Sequence, residues 1–296
     1  MSQAQIVDQL QAIVGEDKVK TDLDSLETWG KDWTKIYAPK PLAITFPNTT
    51  EQVAEIVKLA NKLNFAIVPS GGRTGLSAGA VASNGEVVVS LDRFNTLTDF
   101  NLTDRTVRCG AGVITEQLQN FAEEQGLYYP VDFASAGSSQ IGGNIGTNAG
   151  GIKVIKYGMT RDWVAGLKVV TGKGDILELN KDLVKNNTGY DLRQLFIGGE
   201  GTLGIITEAT MRLTRTPKNL NVLVLGVPDM NAIMDVLHAY HGKMDLSAFE
   251  FFSHKAMSKV VARGDVAAPF ETEADFYALI EFEAISEGDM DTAMEL

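Results

Sequence analysis

Apolar and polar positions alternate along this chain in two rhythms, one of about 3.6 residues and one of two. Ile6, Leu10 and Ile13 recur at helical spacing, so a short amphipathic helix is predicted over residues 4–14. Thr49 and Gln52 form a capping-box pattern ahead of Val53, Ile56, Leu59 and Leu63, which predicts a second helix. The run Phe65-Ala66-Ile67-Val68 reads as a buried strand, and further strands are predicted over 86–91 and 104–109. Thr115 is predicted to cap a helix that turns Leu118, Phe121 and Ala122 inward and closes at Gly126. Residues 163–179 read as a hairpin about Gly172-Lys173-Gly174, and Ile205 to Leu213 as a strand. Between these, residues 21–40 read as irregular, with Trp29, Trp33 and Tyr37 assigned to packing.

Thr216-Pro217-Lys218 reads as a boundary. Beyond it come a strand at 221–226, a helix at 229–241, a strand at 247–252, a helix at 253–262 and a strand at 276–283. That order predicts a small α+β domain. The chain ends at Leu296 within what reads as the next helix, so this layer is expected to be half covered and the chain to be a fragment or to lack a C-terminal part.

Three glycine-rich stretches interrupt the rhythm. The first is Pro69-Ser70-Gly71-Gly72-Arg73-Thr74-Gly75-Leu76-Ser77-Ala78-Gly79, directly after a predicted strand. Glycine lets a ligand approach the main chain closely, and successive N–H groups in such a turn can form a nest for an anion. Arg73 is its one cation, so a pyrophosphate cradle built mainly from main-chain donors is expected, with an ordinary glycine-rich turn as the plainer reading. The second runs from Gly137 to Gly151, with Pro130-Val131-Asp132 shortly before it. Its six glycines do not suit a helix interior, where each costs about 1 kcal/mol against alanine. Asn144, Thr147 and Asn148 offer neutral donors and acceptors there, either to a flat uncharged group or to their own backbone. The third is Gly198-Gly199-Glu200-Gly201-Thr202-Leu203-Gly204, ahead of the strand-like run.

Two motif matches compete. Gly199 to Gly204 fits G-x-G-x-x-G, but that fingerprint needs a following helix and a β-like run comes next. Gly75-Leu76-Ser77-Ala78-Gly79 fits the nucleophile elbow of a serine hydrolase, which also needs a helix. His238 and His241 lie three apart on a predicted helix, but no third ligand can be named and exposed histidines are the simpler reading. Cys109 falls in an alternating strand and reads as a core thiol.

Composition narrows the function. Twenty-six cations against thirty-eight anions give a net charge of −12, which argues against nucleic-acid binding. With 296 residues, 44% hydrophobic and 22% charged, the chain can bury a sizeable core and hold two domains. No run of about 18 apolar residues predicts a membrane span, and Met1 to Gln5 do not read as a secretory leader. A lone cysteine fits a reducing setting, so a cytoplasmic location is expected, with association at the inner membrane surface left open.

Taken together, the three stretches resemble the flavin-binding domain of the vanillyl-alcohol oxidase/p-cresol methylhydroxylase superfamily, and within it the FAD-linked D-2-hydroxyacid dehydrogenases of D-lactate, D-2-hydroxyglutarate and glycolate type. The likeness runs from about Asp32-Trp33 to Leu213. It implies an α+β fold: a two-subdomain FAD-binding domain over residues 1–216, followed by a partial α+β cap domain over 217–296. It implies FAD contacts in three groups. The first is Pro69, Ser70, Gly71, Gly72, Arg73, Thr74, Gly75, Leu76, Gly79 and Ala80, for the pyrophosphate. The second is Pro130, Asp132, Gly137, Ser138, Ile141, Gly142, Gly143, Asn144, Thr147, Asn148, Gly150 and Gly151, along the flavin and its ribityl chain. The third is Gly199, Glu200, Gly204, Ile205 and Ile206, near the adenine side.

Departures from the family pattern refine this. Covalent members often place histidine after the Gly-Gly of the first loop; Arg73 stands there, so non-covalent FAD is expected. Ala134 replaces a glycine common in relatives. The family's histidine-rich H-x-G-D-G-N-x-H-like segment does not occur before Leu296, so no catalytic base and no metal ligand is assigned. The resemblance implies hydride transfer from a small D-2-hydroxyacid to flavin N5. An electron-transfer flavoprotein or a quinone would reoxidise the flavin. The alternative is a non-catalytic flavin-binding fragment or subunit that needs a C-terminal segment or second polypeptide.

Overall fold

A computed structural model describes residues 3–180, 183 and 185–296; Met1 and Ser2, where the leader reading begins, lie outside them. The chain forms two compact units. One comprises Met1–Tyr129, Ala134–Ala149 and Thr160–Thr214, the other Pro130–Phe133, Gly150–Met159 and Arg215–Leu296.

The first unit holds two larger sheets. In one, Val19–Lys20 (β1), Ala43–Thr45 (β2), Ile67–Ser70 (β3) and Val87–Ser90 (β4) stand in the order β1-β2-β4-β3, with β4 parallel to both its neighbours, β2 and β3. Its sequence Val-Val-Val-Ser is buried throughout, as a strand covered on both faces requires. Helices Gln3–Val14 (α1) and Thr50–Leu63 (α3) cover it, through Leu10, Val14, Val53, Ile56 and Val89. Thr49 Oγ1 accepts from Gln52 N, as the capping pattern predicts. The returning bond goes one residue further back, from Asn48 N to Gln52 Oε1.

The other sheet is antiparallel. Leu97–Asn101 (β5), Thr106–Gly110 (β6), Val164–Thr171 (β8), Ile176–Leu179 (β9) and Gly204–Arg212 (β10) take the order β5-β6-β10-β8-β9. The predicted hairpin is the β8–β9 pair. Cys109 lies fully buried in β6, and burial pushes its thiol far above the ordinary range, consistent with a core role. The remaining elements of this unit are Leu23–Trp29 (α2), Thr115–Glu124 (α4), Leu127–Tyr128 (β7), Ile141–Gly146 (α5) and Arg193–Phe196 (α7), and Thr214–Arg215 (β11) follows β10 in the chain.

Several expectations change. Residues 21–40 are not wholly irregular, because Asp22 accepts from Ser25 N and starts α2. Trp29 packs edge-on against Phe46 at 5.2 Å, but Trp33 and Tyr37 are exposed, so the packing assignment holds for one aromatic of three. The strand after α3 begins two residues late, since Asn64 turns left-handed (φ 57°) to end the helix before the parallel ladder with β4 starts. Ile114, not Thr115, is the residue before α4; Thr115 is already helical and bonds its hydroxyl to Ser139. Most telling, the second glycine stretch contains a helix, α5.

The second unit is built on an antiparallel sheet of Leu220–Val227 (β12), Phe276–Glu283 (β14) and Asp245–Ser253 (β13), in that order. Helices Met230–Tyr240 (α8), His254–Val261 (α9) and Asp289–Glu295 (α10) follow the strands, with Val154–Tyr157 (α6) contributed from earlier in the chain. Asp229 caps α8 by accepting from Asn231 N and Ala232 N. The period of two on β14 separates its faces. Ile280 and Phe282 join Tyr240, Leu246 and Ala293 in an apolar cluster, and Tyr240 Oη donates to Ala293 O at 2.6 Å, tying α10 down. Glu281 and Glu283 point the other way. Lys153 Nζ lies 3.1 Å from Glu281, and Lys156 Nζ donates to Asp245 at 2.8 Å and Glu283 at 2.9 Å. Glu283 also accepts from both terminal nitrogens of Arg215 and from Lys218 N.

Candidate cofactor-binding site

Within the first unit the three glycine stretches meet. The first leaves β3 at Ser70 and turns sharply, with Arg73 (φ 59°) and Ala78 (φ 63°) in left-handed conformation. A methyl group on Gly72 would sit 2.2 Å from Ser138 O, so only glycine lets the first stretch lie on the second. The third stretch docks on the end of α5: Gly198 N donates to Ile145 O at 3.0 Å and Glu200 N to Gly146 O at 2.9 Å. It closes back on the first, where a Cβ on Gly201 would be 3.0 Å from Pro69 and one on Gly79 3.0 Å from Glu200 Oε2.

Helix α5 shows why so many glycines are there. Gly142 donates its N–H to Ala111 O, and a Cβ on it would lie 2.6 Å from Ala111 Cβ, so this glycine serves close packing. Gly143 and Gly146, one turn apart, face open space with nothing within 4 Å of where a side chain would begin. The helix therefore buries Ile141 and Ile145 and presents bare backbone on the opposite side. Asn144 is turned inward, with Nδ2 donating to Thr115 Oγ1 at 2.7 Å. Thr147 bonds Gly143 O, and Asn148 Oδ1 accepts from Arg161 N. Of these bonds only that of Thr147 is to the local backbone; Asn144 reaches a side chain 29 residues away and Asn148 a backbone group 13 residues away. Ile205 and Ile206 are buried, and Gly204 lies against Val170 O on β8.

Four candidate residues belong to the second unit: Pro130, Asp132, Gly150 and Gly151. There a Cβ on Gly151 would fall 1.6 Å from Asp132 O, and Ile152 N donates to that same oxygen.

Two residues that the sequence reading passed over organise the first two stretches. Asp92, just past β4, accepts from Trp29 Nε1 at 2.9 Å, from Gln140 Nε2 at 2.7 Å and from Arg73 Nη1 at 3.3 Å. Burial alone would raise its carboxyl; the Arg73 charge and these hydrogen bonds outweigh that and hold it below the ordinary aspartate range. Gln140 is the second such residue. These partners are 63, 48 and 19 residues from Asp92, so no local pattern marks them.

The site's chemistry is that of unmet main-chain donors. Among the described residues, no backbone carbonyl accepts from the N–H groups of Gly71, Gly72, Thr74, Gly75, Leu76 or Ser77. Buried side-chain atoms without a partner also gather here: Ser70 Oγ, Gln140 Oε1, Asp32 Oδ2 and Thr34 Oγ1. Gln140 Oε1 lies 3.4 Å from the Cβ position of Gly71, and Trp33 N donates to Gly75 O. Native folds leave few such groups unpaired, so their concentration makes this a candidate ligand surface. Uncharged N–H donors beside a side-chain-free helix face suit a pyrophosphate joined to a flat ring system, and a dinucleotide cofactor fits both. A cavity of about 120 Å³ lies instead on the second sheet, lined by Arg108, Lys168, Glu178 and Glu208 among others. It is too small for such a ligand and includes none of the glycine stretches.

The competing motifs fail on their context. Strand β10 follows Gly204, and no helix follows Ser77 before β4. His241 sits past the end of α8 in extended conformation, and the described residues contain no group of three or more metal-type ligands. No helix among them is long and apolar enough to cross a membrane.

The fold and the loops thus define an FAD-binding domain of p-cresol methylhydroxylase type. Residues 41–180 match the FAD binding domain family, and 216–295 match the C-terminal domain of the FAD linked oxidases. The chain thus carries an FAD binding domain followed by a match to the C-terminal domain of the FAD linked oxidases. It is 68% identical over 287 residues to a D-2-hydroxyglutarate dehydrogenase of Stutzerimonas stutzeri, covering 97% of this chain and 62% of that protein. It is 53% identical over 285 residues to a D-2-hydroxyglutarate dehydrogenase of Xanthomonas citri pv. viticola, covering 96% of this chain and 60% of that one. The chain therefore spans about three-fifths of the length of these relatives. Its fold is similar to that of p-cresol methylhydroxylase with substrate bound, with a TM-score of 0.79 at 18% identity over 99% of this chain and 62% of that one.

Proposed function

We propose that this chain is the FAD-binding portion of a flavoprotein dehydrogenase that oxidises a D-2-hydroxyacid, with D-2-hydroxyglutarate the first substrate to test and FAD held non-covalently. The observation that carries the reading is the convergence, in one unit, of three glycine stretches whose first loop offers a row of unengaged N–H groups. The substrate class rests on the names of relatives 68% and 53% identical. Gly71, Gly72, Thr74 and Gly75 would hold the pyrophosphate through main-chain donors, and Gly143 and Gly146 would let a planar group lie against α5. Glu200 and the residues around it would close the adenine side. Arg73, in place of a histidine, leaves no imidazole for a covalent link at that position.

When bound, FAD supplies the acceptor for the hydride that leaves the substrate α-carbon. The task of these loops is to fix that acceptor in one orientation. The substrate hydroxyl proton needs a base, and no described residue is assigned that part. An electron-transfer flavoprotein or a quinone would take the electrons onward.

Mixing the apoprotein with FAD should give a yellow protein of one flavin per chain, and acid precipitation should release all the flavin to the supernatant. A sample that stays colourless in excess FAD counts against the whole reading. Dye reduction with D-2-hydroxyglutarate, but not its L-enantiomer, would establish the reaction, with D-lactate as the comparison. Dye reduction that appears only when a second polypeptide is added would instead support a non-catalytic flavin-binding part.

A further inference from the structure

The first glycine loop has one cation, and that cation is already matched. Arg73 Nη1 turns back to donate to Gly71 O at 2.7 Å and lies 3.3 Å from both carboxylate oxygens of Asp92. Its guanidinium also sits 5.9 Å from the centre of the Trp29 ring. Both side chains are about three-quarters buried, at 24% and 25% exposure, so solvent screens their attraction less than it would on an open surface. Asp92 is in turn held in place by Trp29 Nε1 and Gln140 Nε2.

We propose that Asp92 is a specificity-determining residue of this cradle: by cancelling the charge of Arg73, it leaves the loop to choose its phosphate-bearing ligand through uncharged main-chain donors. The proposal rests on the flavin reading above. An unmatched cation attracts any phosphate, inorganic or nucleotide, and does so most at low salt. Neutral N–H donors act only over hydrogen-bond distance, so they reward a ligand that also fits the rest of the groove. Asp92 thereby trades general anion affinity for discrimination in favour of the whole dinucleotide.

The test measures FAD binding to apoprotein by flavin fluorescence, from ~0.01 M salt, where charges reach about 30 Å, to ~1 M, where they reach about 3 Å. Wild type should change its Kd by less than about twofold across that range, since neutral donors dominate. Asp92→Asn should bind at least as tightly at low salt and weaken roughly fivefold on going to high salt, the size of one partly exposed ion pair. Pyrophosphate should displace FAD from this variant more readily than from wild type. Arg73→Gln alone bares the Asp92 carboxylate, so it should bind FAD more weakly at low salt and tighten as salt rises, whereas combined with Asp92→Asn it should show the wild-type salt response. Equal salt responses in wild type and Asp92→Asn would overturn the proposal, as would a steep response that survives in the double variant. If Asp92→Asn does not fold by circular dichroism, Arg73→Gln decides: FAD binding that tightens with salt bears out the cancelled pair, and a response equal to wild type overturns it. Wild type that binds no FAD at either salt would overturn the flavin reading and the proposal with it, whereas FAD binding with equal responses removes the proposal alone.

Discussion

The two units use polar groups in opposite ways. In the first, the loop around Gly71 to Ser77 keeps a row of N–H groups unengaged and pairs its single cation away. In the second, Glu283 sits 3% exposed with Lys156, Arg215 and Lys218 N all directed at it. These donors sit on a half-buried to exposed loop where water can meet them, so they keep a capacity that a ligand can take up. A carboxylate with every lone pair occupied has no capacity left for a ligand, so its role is to hold segments together. Charge density alone would have pointed to the wrong unit.

Mutations can widen or close that contrast. The largest effect is expected at Glu283. Glu283→Ala leaves Arg215 without a counter-charge and Lys156 with Asp245 alone, and should destabilise the protein by about 3 kcal/mol in urea unfolding. The same residue sets an acid limit. Hydrogen bonds from Arg215, then from Lys218 N and Lys156, hold its carboxyl well below the ordinary glutamate range despite burial. A depressed folded value means that its stabilisation is complete above the unfolded value of about 4.3 and drains away as pH falls below it. Unfolding measured from pH 6 downward should therefore show a loss of stability below that point, and Glu283→Gln should flatten it.

Next comes Gly72→Ala. Its methyl would lie 2.2 Å from Ser138 O, and backbone cannot yield as a side-chain tip can. FAD affinity should fall at least tenfold, with a stability loss of about 1–3 kcal/mol from overpacking. The finest comparison lies inside α5. Gly142→Ala meets Ala111 and should destabilise the apoprotein by about 1 kcal/mol or more. Gly143→Ala meets nothing, so the apoprotein should melt higher, by up to about 1 kcal/mol from helix propensity, while FAD binds more weakly. A Gly143→Ala protein that binds FAD as wild type does would remove the bare helix face from the site.

What could be read from residue order was whatever depends on neighbours. The β8–β9 hairpin, the buried run of β4 and the Thr49 cap of α3 each need only a few adjacent positions, and each forms. The glycine stretches were visible as departures from those rhythms. Helix α5 was not, because its glycines read as helix breakers until Ala111 and open space are seen on its two sides. Asp92 was silent for a related reason: nothing near it in sequence distinguishes it, and its meaning comes from Trp29, Arg73 and Gln140. Exposed Trp33 and Tyr37 show the reverse error, since large aromatic area does not by itself ensure burial.

The way the chain is threaded also limits how the protein can be dissected. Residues 130–133 and 150–159 belong with residues 215–296, so no single scission separates the two halves cleanly. A piece beginning at Arg215 would carry Asp245, Glu281 and Glu283 but leave behind both Lys153 and Lys156. Anyone cutting the gene at that apparent seam would isolate a β-sheet stripped of two of its counter-ions, and poor behaviour of that piece would reflect the cut rather than the natural protein.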